Sequence, residues 1–573
     1  MNYYVMCYTR KPDPSLYYEE RLAYSVHLAL KEGDGDFYAL NHNSGVLFAR
    51  ATENEDGSLN PKSLKDPVLY RRPDGAFGVQ ARRIEGDGEE EPGKPVILRW
   101  SSRDLIVFEE TKDGEATEQA LREGIACETF AERVLEEYTA RKASAEQASE
   151  RACSTIEGCV PGNVIEISEE EAVYLKRKLL TPESVSVSVP QKICASSPAD
   201  LRKVRAAVHY SDGTSLQRSV DWDLSGVDFA KAGSYPLRGT VHQEHFPFPI
   251  AYNRADPCVA RWNGKYYFIA TNDADDNHTL YIREADTLAG LADAEEILLL
   301  DSHTYEGIGG LLWAPEFHEI EGRLYIFHAA TPGEFYCEES YVMELREGGS
   351  PACRGDWSAP KRVKKKDGSD LCEMGKTITL DMTCFLWEGD YYVVWSQRQF
   401  LPKDLGAWLY IAKLNPKEPW KLLTDPVVLT KPEYGWENNH VFVDEGPYAL
   451  IRGDRLYLTY SGALVDYTYV VSYLVAEKGQ NLLDAASWRK NGYPILSLRS
   501  VPGEYGTGHN AYVEDEDGII WNTYHARPGA DGVRSSGFRR VHFDTDGCPM
   551  LDVTEELDLR EGLEKVETTL VID

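Results

Sequence analysis

A chain of 573 residues with 94 acidic against 61 basic side chains carries a formal charge of −33, a field that repels phosphate backbones and anionic membrane surfaces. Nucleic acid and membranes are therefore not expected as partners. The length exceeds what one core accommodates, and 34 Tyr and 12 Trp in an 11% aromatic chain favour several β-rich domains over disorder. The first ten residues lack a basic region followed by an apolar stretch, and no apolar run approaches the ~18 residues of a membrane span. Eleven cysteines, without a CxxC pair or zinc spacing, read as reduced thiols and give an expected cytoplasmic location.

Taken in chain order, residues 1–115 alternate short β-like runs with turns: Phe37–Asn41, Val68–Arg71, Phe77–Arg82 and Val96–Trp100. This predicts a β-rich N-terminal module. Residues 116–180 shift to Ala, Glu, Arg and Lys, predicting a helical spacer with one helix over 117–150 and a second over 169–180. Ser168 stands as the cap of the second helix, ahead of three consecutive Glu. Residues 181–243 return to β pattern, with strands at Val185–Val189, Val204–His209 and Tyr235–Val241. The Tyr210-Ser211-Asp212-Gly213 hairpin, Val220-Asp221-Trp222 and Gly233-Ser234-Tyr235 resemble the bacterial immunoglobulin-like modules often appended to carbohydrate-active enzymes, which are β-sandwiches.

Residues 247–573 contain a weak repeat. Asn263-Gly264, Glu321-Gly322, Gly389-Asp390, Gly453-Asp454 and Asp517-Gly518 each stand as a tight turn before a strand dense in Tyr, Trp and Val. The residues ahead of the first strand of each unit are Asp256, Trp313, Asp381, Glu445 and His509, at spacings of 57, 68, 64 and 64 residues. Such intervals suit four-stranded blades with generous connections, and a radial arrangement brings the marked side chains to a common axis. The expected fold is thus mainly β: a five-bladed β-propeller, an immunoglobulin-like sandwich and a β-rich N-terminal module with a helical spacer.

Three acidic residues at one axis fit glycosidic bond hydrolysis. One carboxylic acid protonates the leaving oxygen, a second carboxylate activates water or attacks the sugar, and a third holds the acid's proton by like-charge repulsion. Each residue alone also has a plain structural reading: Asp before Pro is a common strand entry, Trp313 a core residue, His509 a hydrogen-bonded core histidine. Their shared register across five units favours catalysis.

These motifs resemble glycoside hydrolase family 43, whose members are inverting five-bladed propellers. The resemblance makes Asp256, in Ala255-Asp256-Pro257 before Gly264-Lys265-Tyr266-Tyr267, the general base. It makes Asp381 the pKa-modulating residue and Glu445, before Gly446-Pro447, the acid. It implies Trp313 of Trp313-Ala314-Pro315-Glu316 as an aromatic wall and Arg527 as a binder of substrate hydroxyls, with Arg539 and Arg540 as alternatives. His509 of Gly508-His509-Asn510 is implied as an axial residue that touches substrate and meets a hydrated calcium; the chemistry itself requires no cofactor. Lys65-Asp66-Pro67, followed by Pro73-Asp74-Gly75 and Ser101–Leu105, also looks like a blade of this family, but no companion acid precedes residue 243. The implied activity is exo-acting release of terminal α-L-arabinofuranosyl units from plant-type oligosaccharides. β-D-xylosidase, galactofuranosidase or galactanase activity, or a non-catalytic carbohydrate-binding propeller, are the alternatives.

Overall fold

The computed structural model describes residues 1–111, 127–148 and 153–572. Five antiparallel sheets follow one another from residue 254 to 540. Blade 1 begins with Arg254–Trp262, blade 2 with Gly310–Ile320, blade 3 with Thr377–Trp387, blade 4 with Asp444–Arg452 and blade 5 with Glu504–Glu514. The first strand of each blade contacts that of the next, and the fifth contacts the first, so the ring closes. Blades 1 to 4 have four strands in meander order, and blade 5 has three. The fourth position of blade 5 is taken by the segment entering blade 1, where Ile250 and Ser536 donate backbone N–H groups to Ser536 and Ala251 carbonyls at 2.9 Å. One sheet thereby uses chain from both ends of the ring.

The hairpin turns form where left-handed backbone is cheap. Asn263-Gly264, Glu321-Gly322 and Glu388-Gly389 have both central residues at positive φ, the combination that matches strand twist. In blade 3 this moves the expected turn back by one residue, because Trp387 pairs with Asp390 and leaves Glu388-Gly389 in the bend.

Each first strand also carries a bulge. Register shifts fall at Ala255/Cys258, Trp313/Glu316, Leu380/Thr383, Glu445/Tyr448 and Gly508/Ala511. Inside them Asp256, Ala314, Asp381, Gly446 and His509 have φ between 45° and 55°. A bulge re-aims a side chain out of the pleat; repeated in every blade, it turns one position per blade toward the axis.

The N-terminal module contains two four-stranded sheets and a two-stranded one, Thr52–Glu53 with Leu59–Asn60. One four-stranded sheet holds Lys62–Arg71, Phe77–Glu85, Ile97–Ser102 and Glu109–Glu110 as a blade-like meander. The other pairs Tyr3–Arg10 with His27–Glu32 and with Cys159–Ile167, so the expected spacer is not purely helical: residues 159–167 complete an N-terminal sheet. Of the first expected helix, Cys127–Ser144 is helical and the segments 112–126 and 149–152 lie outside the described residues. The second runs over Glu169–Leu179, and Ser168 and Glu171 form a reciprocal capping box. Leu64, Val79 and Trp100 of the module share one apolar cluster with Phe385, Trp387, Trp436 and Leu458 of blades 3 and 4, which seats the module on the propeller rim.

The immunoglobulin-like sandwich has sheets of three and four strands over Ser184–Val241. Its four-stranded sheet includes Lys565–Ile572, antiparallel to Gly233–Val241 and parallel to Lys192–Cys194. The propeller expected to run to residue 573 therefore ends earlier, and the chain terminus returns to the sandwich. No helix among the described residues is long and apolar enough to cross a membrane.

Candidate active site

Asp256, Asp381, Glu445, His509, Trp313 and Arg527 all line one cavity of about 410 Å³ at the propeller axis. Asp256, Asp381 and His509 are buried and Glu445 is partly buried, so their charge states are set largely by neighbours.

Asp256 is held as an anion. Its Oδ2 accepts from Thr271 Oγ1 at 2.6 Å, while Thr271 Oγ1 accepts from Ala314 N at 2.8 Å, which commits the hydroxyl proton to the carboxylate. Its Oδ1 lies 3.3 Å from Arg534 Nη1, 3.0 Å from His525 Nδ1 and 3.4 Å from His509 Nδ1. Burial opposes the charge, yet Arg534 foremost, then His509 and His525, hold the carboxyl well below the ordinary range. Burial pushes His525 itself down to about 4, so its contact with Asp256 at neutral pH is a hydrogen bond and not an ion pair.

Asp381 and Glu445 go the other way. Burial drives Asp381 up to about 8; His509 pulls down, and Glu445 and Asp256 push further up. Its Oδ2 accepts from Gly446 N at 3.0 Å, which ties it to the residue after Glu445. Glu445 is raised first by burial, against the pull of Tyr469 and His509, with Asp256 adding repulsion. Tyr469 Oη donates to Glu445 Oε1 at 2.8 Å and leaves the second oxygen to carry a proton. Tyr469 in turn stacks on His525 at 5.5 Å and 3°. One cavity thus holds one carboxyl pushed down and two pushed up in pKa, the divergence that acid and base roles require.

The remaining expected residues are placed as follows. Trp313 donates Nε1–H to Asn277 Oδ1 at 2.8 Å and presents its ring to the cavity beside Phe335. Arg527 reaches the cavity with its guanidinium donating to the carbonyls of Gly532 and Val465, both at 2.8 Å. Arg539 and Arg540 do not reach it; they pair with Glu504 and Asp558. His509 directs Nδ1 at Asp256, and its buried Nε2 has no hydrogen-bond partner. Among the described residues no three His, Cys, Asp or Glu side chains converge as metal ligands, and a lone imidazole nitrogen is not the oxygen cage calcium requires. A hydrated calcium takes its oxygens from water, and His509 Nε2 is the atom by which these residues would meet it.

Several contributors escaped sequence reasoning. Arg534 fixes the charge of Asp256 and is itself locked by Asp273, at 2.8 Å and 2.9 Å; as an arginine at a strand entry it carries no motif. Thr271 and His525 sit on the second strands of their blades and Tyr469 immediately precedes the third strand of blade 4, where nothing in the local pattern marks them. Asp66 shares the left-handed bulge of the propeller strands, with φ 53°, but its carboxylate pairs with Arg82 at 3.1 Å and Lys142 at 3.2 Å away from the cavity.

A ring of five blades with carboxyls of divergent pKa at its centre defines a hydrolase-type site. Residues 246–549 match the model of glycosyl hydrolases family 43, and the chain belongs to that family. Residues 183–243 match the bacterial Ig-like domain (group 4). The chain is 32% identical over 317 residues to the extracellular exo-α-(1→5)-L-arabinofuranosidase of Streptomyces avermitilis, covering 53% of this chain and 62% of that protein. It is 33% identical over 283 residues to the enzyme of the same name from Streptomyces chartreusis, covering 49% and 81%. A solved α-L-arabinofuranosidase from Lactobacillus brevis aligns at 31% identity and TM-score 0.47, over 53% of this chain and 94% of that one. Two of these relatives are named extracellular, which overturns the cytoplasmic location expected from cysteine usage. A core of this size folds without disulfide staples, so the ten free thiols among the described residues do not report on compartment.

Proposed function

We propose that the chain removes terminal α-L-arabinofuranosyl units from oligosaccharides with inversion of configuration. The observation that carries this reading is the divergence of the carboxyls across one cavity: Asp256 held anionic by Arg534, Asp381 pushed by burial up to about 8, and Glu445 raised by burial above the ordinary carboxyl range. Asp256 accepts a proton from water, which attacks the anomeric carbon; Glu445 delivers its proton to the leaving oxygen; the charge on Asp256 favours the proton on Glu445, and Asp381, which accepts from Gly446 N, orients the acid. Trp313 and Phe335 supply apolar faces for the sugar ring, and the Arg527 and Arg534 guanidinium groups stand beside its hydroxyls. The arabinofuranosidase names of the relatives support the sugar.

Hydrolysis of chromogenic α-L-arabinofuranoside, β-D-xyloside and β-D-galactofuranoside tests the assignment. The arabinofuranoside is expected to be preferred by at least about tenfold in kcat/KM. A preference for the xyloside makes the enzyme a xylosidase, and unchanged reducing ends on arabinan, xylan and galactan fragments make it a binding propeller.

A further inference from the structure

Beside the cavity mouth two loops bring aromatic rings together in the open. Phe335 and Tyr336 follow the second strand of blade 2, and Phe400 follows the second strand of blade 3. Phe335 lies 5.4 Å from Tyr336 and 5.6 Å from Phe400, and Tyr336 lies 5.0 Å from Phe400, all edge to face. Phe335 also meets Trp313 at 6.1 Å, so the cluster continues the wall of the catalytic cavity outward. Yet Tyr336 is 51% and Phe335 38% exposed, which is costly for rings of this size unless something covers them.

The rings are held in place. Gly375 N donates to Tyr336 O at 2.8 Å and Phe400 N to Lys376 O at 2.8 Å, so the segment between the two blades ties both loops. Arg398 sits 4.9 Å over the Phe400 ring and pairs with Asp404 at 2.6 Å. Lys403 in the same loop reaches the N-terminal module, at 2.5 Å from Asp56 and 2.9 Å from Ser58. A rigid, solvent-facing aromatic surface contiguous with a sugar cavity matches the apolar face of a pyranose or furanose ring.

We propose that Phe335, Tyr336 and Phe400 form the subsite for the leaving-side sugar, the residue to which the released unit is joined, and that Lys403 with Asp56 positions it from the N-terminal module. This rests on the glycosidase reading above and adds to it where the second sugar lies and why the N-terminal module is retained against blade 3.

The test compares two substrates that share the released sugar. α-(1→5)-L-arabinotriose reaches the platform; α-L-arabinofuranosyl fluoride, with a one-atom leaving group, does not. In Tyr336→Ala the ratio of kcat/KM on the triose to that on the fluoride is expected to fall about tenfold, mostly through KM. Lys403→Met is expected to lower the same ratio by about twofold, as an exposed tether would, and Lys403→Arg to restore it. A ratio unchanged in Tyr336→Ala overturns the subsite. A wild-type enzyme that cleaves neither substrate overturns the arabinofuranosidase reading and the subsite with it.

Discussion

Replacing Asp381 by Asn isolates what the protein gives up to keep a proton at the axis. The folded carboxyl titrates at about 8, against 3.8 for the ordinary group, and burial is the main cause. A raised folded pKa means that the acid form is the one the fold prefers. Its stability contribution is complete below pH 3.8 and is lost as pH rises through about 8. At pH 7 the unfolded chain has released that proton and the folded chain has not, which amounts to about 4 kcal/mol at about 1.4 kcal/mol per pH unit. Asn needs no proton, retains an oxygen to accept from Gly446 N and has nearly the same volume. The variant is therefore expected to match the wild type in melting temperature at pH 4 and to exceed it by roughly 3 to 7 °C at pH 7. Thermal melts of both proteins across pH 4 to 8, alongside activity, make the measurement. A difference in melting temperature that does not change with pH refutes the assignment of a buried, proton-retaining Asp381.

Three other substitutions separate the roles. Glu445→Gln is expected to lose about 10²- to 10⁴-fold on alkyl and sugar leaving groups and far less on nitrophenyl leaving groups, because only the former need the proton. Asp256→Asn is expected to lose a comparable factor on every substrate, a pattern that a leaving-group series distinguishes from the first. Arg534→Met removes the foremost cation facing Asp256, so the acidic limb of the kcat/KM profile is expected to move to higher pH by about one unit or more; an unmoved limb contradicts the control of Asp256 by Arg534.

The sequence made the propeller and its three carboxylates legible for a physical reason. Tight turns need specific residues, and strands that share an axis repeat the same preference at the same register, so Asp256, Asp381 and Glu445 announced themselves by position. The left-handed bulges that aim these residues were not legible, since Asp, Ala, Gly and His all occupy them. Arg534 reaches Asp256 across the gap between blades 5 and 1, and Tyr469 stacks on His525 across the gap between blades 4 and 5; a contact between chain segments far apart leaves no mark on either segment. The same applies to Lys565–Ile572: its alternation reads as a strand, but its choice of the immunoglobulin-like sheet over a sixth place in the ring is decided by tertiary packing. Asp66 shows the converse, a blade-like motif that kept its bulge while its carboxylate was neutralised by Arg82 and Lys142.

The central claim is that a water molecule, deprotonated by Asp256, attacks from the face opposite the departing oxygen while Glu445 protonates that oxygen. Proton NMR of the first sugar released from arabinotriose, recorded before mutarotation, tests it directly. The account predicts the β-anomer from the α-linked substrate. Initial formation of the α-anomer would contradict it, because a retained product requires a carboxylate, and not water, to have attacked first.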